Sequence, residues 1–86
     1  MGVVYSRTFL KESKLLPKVI RNKLAYLLEL LAHDPFHPTL HTKQLSGKLT
    51  GFFSFRITRD WRAIFVFRDV NTIQLLKVAH RKDIYR

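Results

Sequence analysis

Prolines bracket one long amphipathic stretch in this chain, and that stretch dictates what the rest has to provide. Between Pro17 and Pro35, residues Ile20, Leu24, Leu27, Leu28 and Leu31 recur at the i, i+4, i+7, i+8, i+11 spacing of one helical face. Lys18, Arg21, Asn22, Ala25 and Glu29 fall on the other side. Pro17 breaks any helix before it and suits the first turn of the next, and His33-Asp34-Pro35 closes the run. The spacing therefore predicts a helix over 18–33. Upstream, Ser6 offers a hydroxyl to an orphan backbone N–H just ahead of Phe9, Leu10, Leu15 and Leu16, which predicts a shorter helix over 7–15. Two helices joined at one proline form a hairpin, and its apolar stripe needs an apolar surface to cover.

The second half of the chain supplies that surface. Residues 35–50, punctuated by Pro35, His37 and Pro38, read as a loop that runs to Gly47 and Gly51. From Phe52 to Thr58 the residues alternate, with Phe53, Phe55 and Ile57 on one side and Ser54, Arg56 and Thr58 on the other. Arg59-Asp60 reverses the chain, Trp61 to Phe67 is a nearly continuous apolar strand interrupted by Arg62, Asp69-Val70-Asn71 turns again, and Thr72 to Val78 follows as a strand. Residues 79–86 are expected as a strand end and a short tail, and Val3-Val4-Tyr5 as a first strand. The expected architecture is α+β, a two-layer sandwich of order β-α-α-β-β-β with the helical hairpin packed on a mainly antiparallel sheet. A chain of 86 residues fits one domain spanning 1–86.

Charge narrows the partner class. Sixteen Lys and Arg against six Asp and Glu leave a formal charge of +10. Such an excess attracts polyanions and releases their counterions, so nucleic acid leads, with an acidic protein or a merely solvated surface as the alternatives. With no cysteine, disulfides and thiolate metal sites are excluded. No apolar run approaches the roughly 20 residues of a membrane span, and the opening Met1-Gly2-Val3-Val4-Tyr5 is too short for a signal peptide. A cytoplasmic protein without a membrane partner is expected.

The alternation also nominates a site. Arg56 lies opposite Phe55 and Ile57 and should point away from the helices, while Arg62 is costly inside an apolar strand unless it meets solvent or an anion. His80 and Arg81 sit at the exit of the last strand, with Tyr85 four residues beyond Arg81. Guanidinium groups bind a phosphate through paired N–H donors and stabilise added charge in its transition state, but they cannot act as a base. A base or acid has to come from His80, Tyr85, or a lysine such as Lys43 or Lys48. The plainer readings stand beside these. The arginines could pair with Asp60 or Asp69 as surface ions, His80 could be an ordinary strand-end histidine, and Tyr85 could cap the core. Trp61, Phe65 and Phe67 could stack bases, although core packing suits the phenylalanines better. His33, His37 and His41 are spaced by four, but Pro35 and Pro38 break any helix there and nothing completes a ligand set. No metal and no cofactor is expected.

The run Gln44-Leu45-Ser46-Gly47-Lys48-Leu49-Thr50-Gly51-Phe52-Phe53-Ser54-Phe55-Arg56-Ile57, followed by Trp61-Arg62-Ala63-Ile64-Phe65 and the ending His80-Arg81-Lys82-Asp83-Ile84-Tyr85-Arg86, resembles the RelE/ParE superfamily of toxins. The lysine-rich first helix and the Leu16-Pro17 junction are similar too, so the resemblance covers nearly the whole chain. It implies the toxin of a type II toxin–antitoxin pair, with a cognate acidic antitoxin as partner. The RelE-like branch implies a metal-independent endoribonuclease that cuts mRNA in the ribosomal A site, by attack of a 2′-hydroxyl on the adjacent phosphate. Carried over by position, Arg62 matches the phosphate-supporting arginine, Arg56 a basic strand residue, and Arg81 and Tyr85 the C-terminal arginine and tyrosine. Ser54 stands where many RelE-type toxins have lysine, and Lys43 near a glutamate of the YoeB-type branch. Lys43, Lys48, Ser54, Arg59, Lys82 and Arg86 are expected along the RNA path. The ParE-like branch implies instead an inhibitor of DNA gyrase that cleaves nothing, and a third alternative is a non-catalytic module that only binds its antitoxin.

Overall fold

In the computed structural model, which describes residues 1–85, the chain forms β1 (Gly2–Tyr5), α1 (Arg7–Lys14), α2 (Lys18–His33), β2 (Lys43–Gln44), β3 (Phe53–Arg56), β4 (Trp61–Asp69) and β5 (Thr72–His80). The five strands make one sheet of order β1-β5-β4-β3-β2. Pairing is antiparallel except where β1 runs parallel beside β5, with Val3 opposite Ile73 and Tyr5 opposite Leu75. Among the described residues, no helix is long and apolar enough to cross a membrane.

The helical hairpin forms where the periodicity predicts it, and α2 covers 18–33 as expected. Ser6 caps α1 by accepting from Phe9 N at 3.0 Å, and its own hydroxyl donates to Leu76 O at 3.0 Å, so a single cap also ties the helix to β5. Glu12 adds a second tie, its carboxylate accepting Val78 N at 3.0 Å. Only part of the expected α1 stripe is buried. Phe9 and Leu16 enter the core, whereas Leu10 and Leu15 stay 45% and 81% exposed. An eight-residue helix has room for little more than one apolar contact line, and Leu15 lies beyond its last turn.

Leu24, Leu27 and Leu31 of α2 join Phe9, Leu16, Phe55, Ala63, Phe65, Ile73, Leu75 and Val78 in the main core. Phe53, Phe55, Phe65 and Phe67 form linked ring contacts on this side of the sheet, with centroids 5.2–6.2 Å apart. The phenylalanines therefore pack the core, and Trp61 lies against it as a partly buried neighbour.

Three details differ from expectation. The 35–50 loop contains the short strand β2, whose Lys43 and Gln44 pair with Ser54 and Phe53, as well as 3-10 turns at Pro38–Leu40 and Gly47–Leu49. A two-residue strand carries too little alternation to be read from sequence. Gly47 and Gly51 adopt φ of 65° and 95°, which accounts for glycine at both positions of the Leu45–Gly51 motif. Strands β4 and β5 run to Asp69 and His80, past the expected ends at 67 and 78, and two register shifts along their ladder accommodate the extra length. The tail is not a simple strand end. Residues 81–85 turn back over the sheet, Asp83 N and Ile84 N donate to His80 O, and Ile84 is 1% exposed. The sheet face away from the helices is therefore partly covered.

Candidate functional site

Register places the proposed side chains in rows. Arg56 and Arg62 are direct partners across β3 and β4, and the next position along the row is Ala79 on β5. Strand alternation sends all three to the face opposite Phe55, Ala63 and Val78, away from the helices. Directly opposed residues have Cβ atoms about 4.5–5.5 Å apart, and like charges so placed repel. Among the described residues, neither arginine has a salt bridge, whereas Arg81 Nε pairs with Asp60 Oδ1 at 3.4 Å. Arg56 is exposed and Arg62 half-buried. Two arginines directly opposed on one face, neither held by a salt bridge among the described residues, can offer paired N–H donors to an anion.

The next row is Lys43, Ser54, Ile64 and Lys77, one residue from each of β2 to β5. Ser54 is 2% exposed, the buried polar residue among the described residues. Its hydroxyl lies 3.4 Å from Tyr85 Oη. That contact brings the phenol over the sheet, close to the arginine row, with the ring still 48% exposed. Ile84, buried beneath the turn, anchors it there. The face thus gathers paired guanidinium groups, a phenol, a buried hydroxyl and the exposed Lys43. It can bind a phosphate and orient a hydroxyl group beside it.

No protein-family model and no curated protein matches the chain. Solved structures do. A YoeB/ParE toxin from Agrobacterium tumefaciens superposes with a TM-score of 0.82 at 16% identity, covering 94% of this chain and 99% of its own. YafQ from E. coli strain BL21(DE3) also reaches 0.82, at 22% identity and with 99% and 98% covered. The RelB–RelE antitoxin–toxin complex from Methanococcus jannaschii gives 0.78 at 24% identity, with 95% and 94% covered. The chain has the fold of the YoeB, YafQ and RelE toxins. The near-complete coverage with YafQ in both directions means that the shared fold takes in the edge strand β1 as well as the central sheet.

Within this RelE-like frame the remaining site residues separate. His80 is opposite Trp61 in the ladder, so alternation puts it on the helix side, edge-on to the indole at 5.4 Å. The structure does not bring it together with Arg56 and Arg62, which lie on the other face of the sheet. One residue of register, invisible to a reading that only counted residues to the strand end, decides this. Its Nδ1 accepts Lys82 N at 3.2 Å and its carbonyl accepts the next two turn N–H groups, so His80 shapes the tail that carries Tyr85. Arg81 stands at the β3–β4 turn, its backbone N donating to Asp60 O at 2.7 Å and its guanidinium held by Asp60. Arg59 is exposed in that same turn, and Lys82 is exposed in the tail. Arg86 lies outside the described residues. Lys48, on the 3-10 turn at Gly47–Leu49, borders a groove of about 530 Å³ beside Tyr85.

Sequence reasoning missed the apolar part of this face. Ile64 and Leu76 line the groove together with Leu49, Phe52 and Ile84. The signal was present in the run from Trp61 to Phe67, because a strand that is apolar on both faces beyond Arg62 has to be covered on both sides.

Proposed function

We propose that the chain, acting over 1–86 as one domain, is the toxin of a type II toxin–antitoxin pair and an endoribonuclease that cuts mRNA on the ribosome in the cytoplasm. The observation that carries this reading is the Arg56–Arg62 pair, directly opposed on the sheet face away from the helices and without a carboxylate partner among the described residues. Like charges in that position destabilise the fold, so an anion is the natural third member. A phosphodiester fits. In the proposed reaction the 2′-hydroxyl of one nucleotide attacks the adjacent phosphorus, the P–O5′ bond breaks, and the products are a 2′,3′-cyclic phosphate and a 5′-hydroxyl. The arginines take up the charge that develops on the non-bridging oxygens. Tyr85 Oη, oriented by Ser54, is placed to hydrogen-bond a reacting oxygen. Phosphate binding and orientation are supplied by these side chains, with no metal or cofactor in the scheme.

The toxin role draws support from the fold shared with YoeB, YafQ and RelE. A cognate antitoxin draws support from the RelB–RelE complex and from the formal charge of +10, which an acidic partner would complement. Expressing the chain and mapping mRNA 5′ ends tests the reading. Cuts in phase with codons are expected, and intact message during growth arrest overturns it.

One observation favours a second reading. His80, the histidine expected in the catalytic set, lies on the helix side and not on the arginine face. A ParE-like inhibitor of DNA gyrase needs no catalytic histidine. Supercoiling by purified gyrase in the presence of the protein separates the two, and full activity at high excess removes the gyrase reading.

A further inference from the structure

We propose that His80 is a positioning residue for Tyr85: its neutral imidazole closes the turn that sets the phenol over Ser54, and taking up a proton opens that turn. The consequence for cleavage rests on the RNA-cutting reading above, whereas the coupling of the two side chains is independent of it.

The backbone N–H groups of residues 81 to 84 are all committed. Arg81 N donates to Asp60 O at 2.7 Å, and the next three donors end on His80. Lys82 N reaches its Nδ1 at 3.2 Å, and Asp83 N and Ile84 N reach its carbonyl at 2.8 and 3.1 Å. Ile84 is buried beneath the turn, and Tyr85 follows at once, its Oη 3.4 Å from Ser54 Oγ. Carbonyl acceptors carry no titratable proton. The imidazole does, histidine being the side chain that ordinarily changes charge between about pH 5 and 8. A ring nitrogen accepts only while it is bare. As imidazolium the ring donates from both nitrogens, and Nδ1–H would face the Lys82 N–H, donor against donor.

The surroundings give the charged ring somewhere else to donate. His80 is half-buried at a recess of about 220 Å³ lined by Glu12 of α1, Asp83 of the tail, Trp61 of β4 and the apolar Leu15 and Leu16. Glu12 accepts Val78 N at 3.0 Å, and Trp61 meets the imidazole edge-on at 5.4 Å. Arg81, paired with Asp60 of the β3–β4 turn, and Lys82 are the cations that flank His80 along the chain. An imidazolium therefore has carboxylates in its own recess, while the Lys82 N–H loses its acceptor. Ile84 keeps the tail on the sheet, so what shifts is the turn and, with it, the phenol. His80 lies on the helix side and acts on cleavage only through Tyr85.

The test is a titration of the full chain from about pH 8 to about 5.5, the parent beside His80→Asn and His80→Ala. Asparagine places a carbonyl oxygen close to where Nδ1 stands, accepting from the N–H two residues on as in an Asx turn, and it does not titrate. In the parent, the Tyr85 ring and Lys82 amide resonances are expected to shift with the His80 ring at one midpoint. In His80→Asn both stay flat. His37, whose Nδ1 accepts Thr39 N at 3.1 Å in the same way, is the control, and His37→Asn leaves the Tyr85 titration as in the parent. On programmed ribosomes, kcat of the parent falls about three- to tenfold relative to His80→Asn over that range, the factor carried by one hydrogen bond, with KM unchanged. His80→Ala, lacking the acceptor, loses a similar factor already at pH 8, and asparagine restores it. A Tyr85 ring that stays put while His80 titrates overturns the positioning role and leaves the nuclease reading standing. So does an Asn variant whose cleavage falls with pH as the parent's does. The resonances of the parent decide the coupling if a variant does not fold. A parent that cuts no RNA at any pH overturns the nuclease reading and the effect on cleavage, and the resonances then decide the coupling alone.

Discussion

The two faces of one sheet are built to opposite specifications. Toward the helices, Phe55, Phe65, Ile73 and Leu75 are all fully buried within an apolar cluster. On the other face the buried residues are Ser54, Ile64 and Ile84, a small patch pinned by the tail, and directly beside it Arg56 and Arg62 repel each other. The first face satisfies its residues internally and gains stability from area removed from water. The second leaves like charges unpaired and a groove unfilled. Under the proposed function, an anion resting between Arg56 and Arg62 would offset that repulsion.

The contrast can be broken in decreasing order of effect. Phe65→Ala should cost about 3–5 kcal/mol, because a fully buried ring leaves a cavity between sheet and hairpin. Urea unfolding measures this, and a loss under about 1 kcal/mol would mean that the helix side is not the core. Arg62→Ala should lower the cleavage rate about 10²–10³-fold, the scale for losing a charged donor to a transition state, while the unfolding free energy stays within about 0.5 kcal/mol. Equal cleavage by variant and parent would put the phosphate site elsewhere. Ile84→Ala should cost about 2 kcal/mol, the low end for such a truncation, since the tail can relax. It should also reduce cleavage by releasing Tyr85 from Ser54. Unchanged cleavage with reduced stability would show that the tail serves only the fold. Ser6→Ala is expected to cost about 1 kcal/mol through the lost cap and to leave cleavage unaltered, a boundary case on the helix side.

Much of this was legible before any coordinates. The α2 stripe, the Ser6 cap, the alternation through Phe53, Phe55 and Arg56, and the RelE-like resemblance of the Gly47/Gly51 motif all correspond to what the structure contains. They are local: a periodicity of 3.6 or 2 and a glycine at positive φ are each set within a few residues. Where the chain departs, the cause is long-range. Leu10 and Leu15 fit an apolar pattern but find no partner surface, and Ile84 finds one across the sheet despite lying in a charged tail.

By itself, then, the amino-acid order determined the elements, the outward aim of Arg56 and Arg62, and the excess positive charge, because side-chain alternation and helical spacing follow from backbone geometry alone. Only the tertiary structure decided that those two arginines face each other, that Tyr85 returns to Ser54 across 31 positions of sequence, and that His80 turns toward the helices. Strand pairing and tail return depend on which distant surfaces bury the most apolar area together, and a shift of one residue in register would have exchanged the two faces.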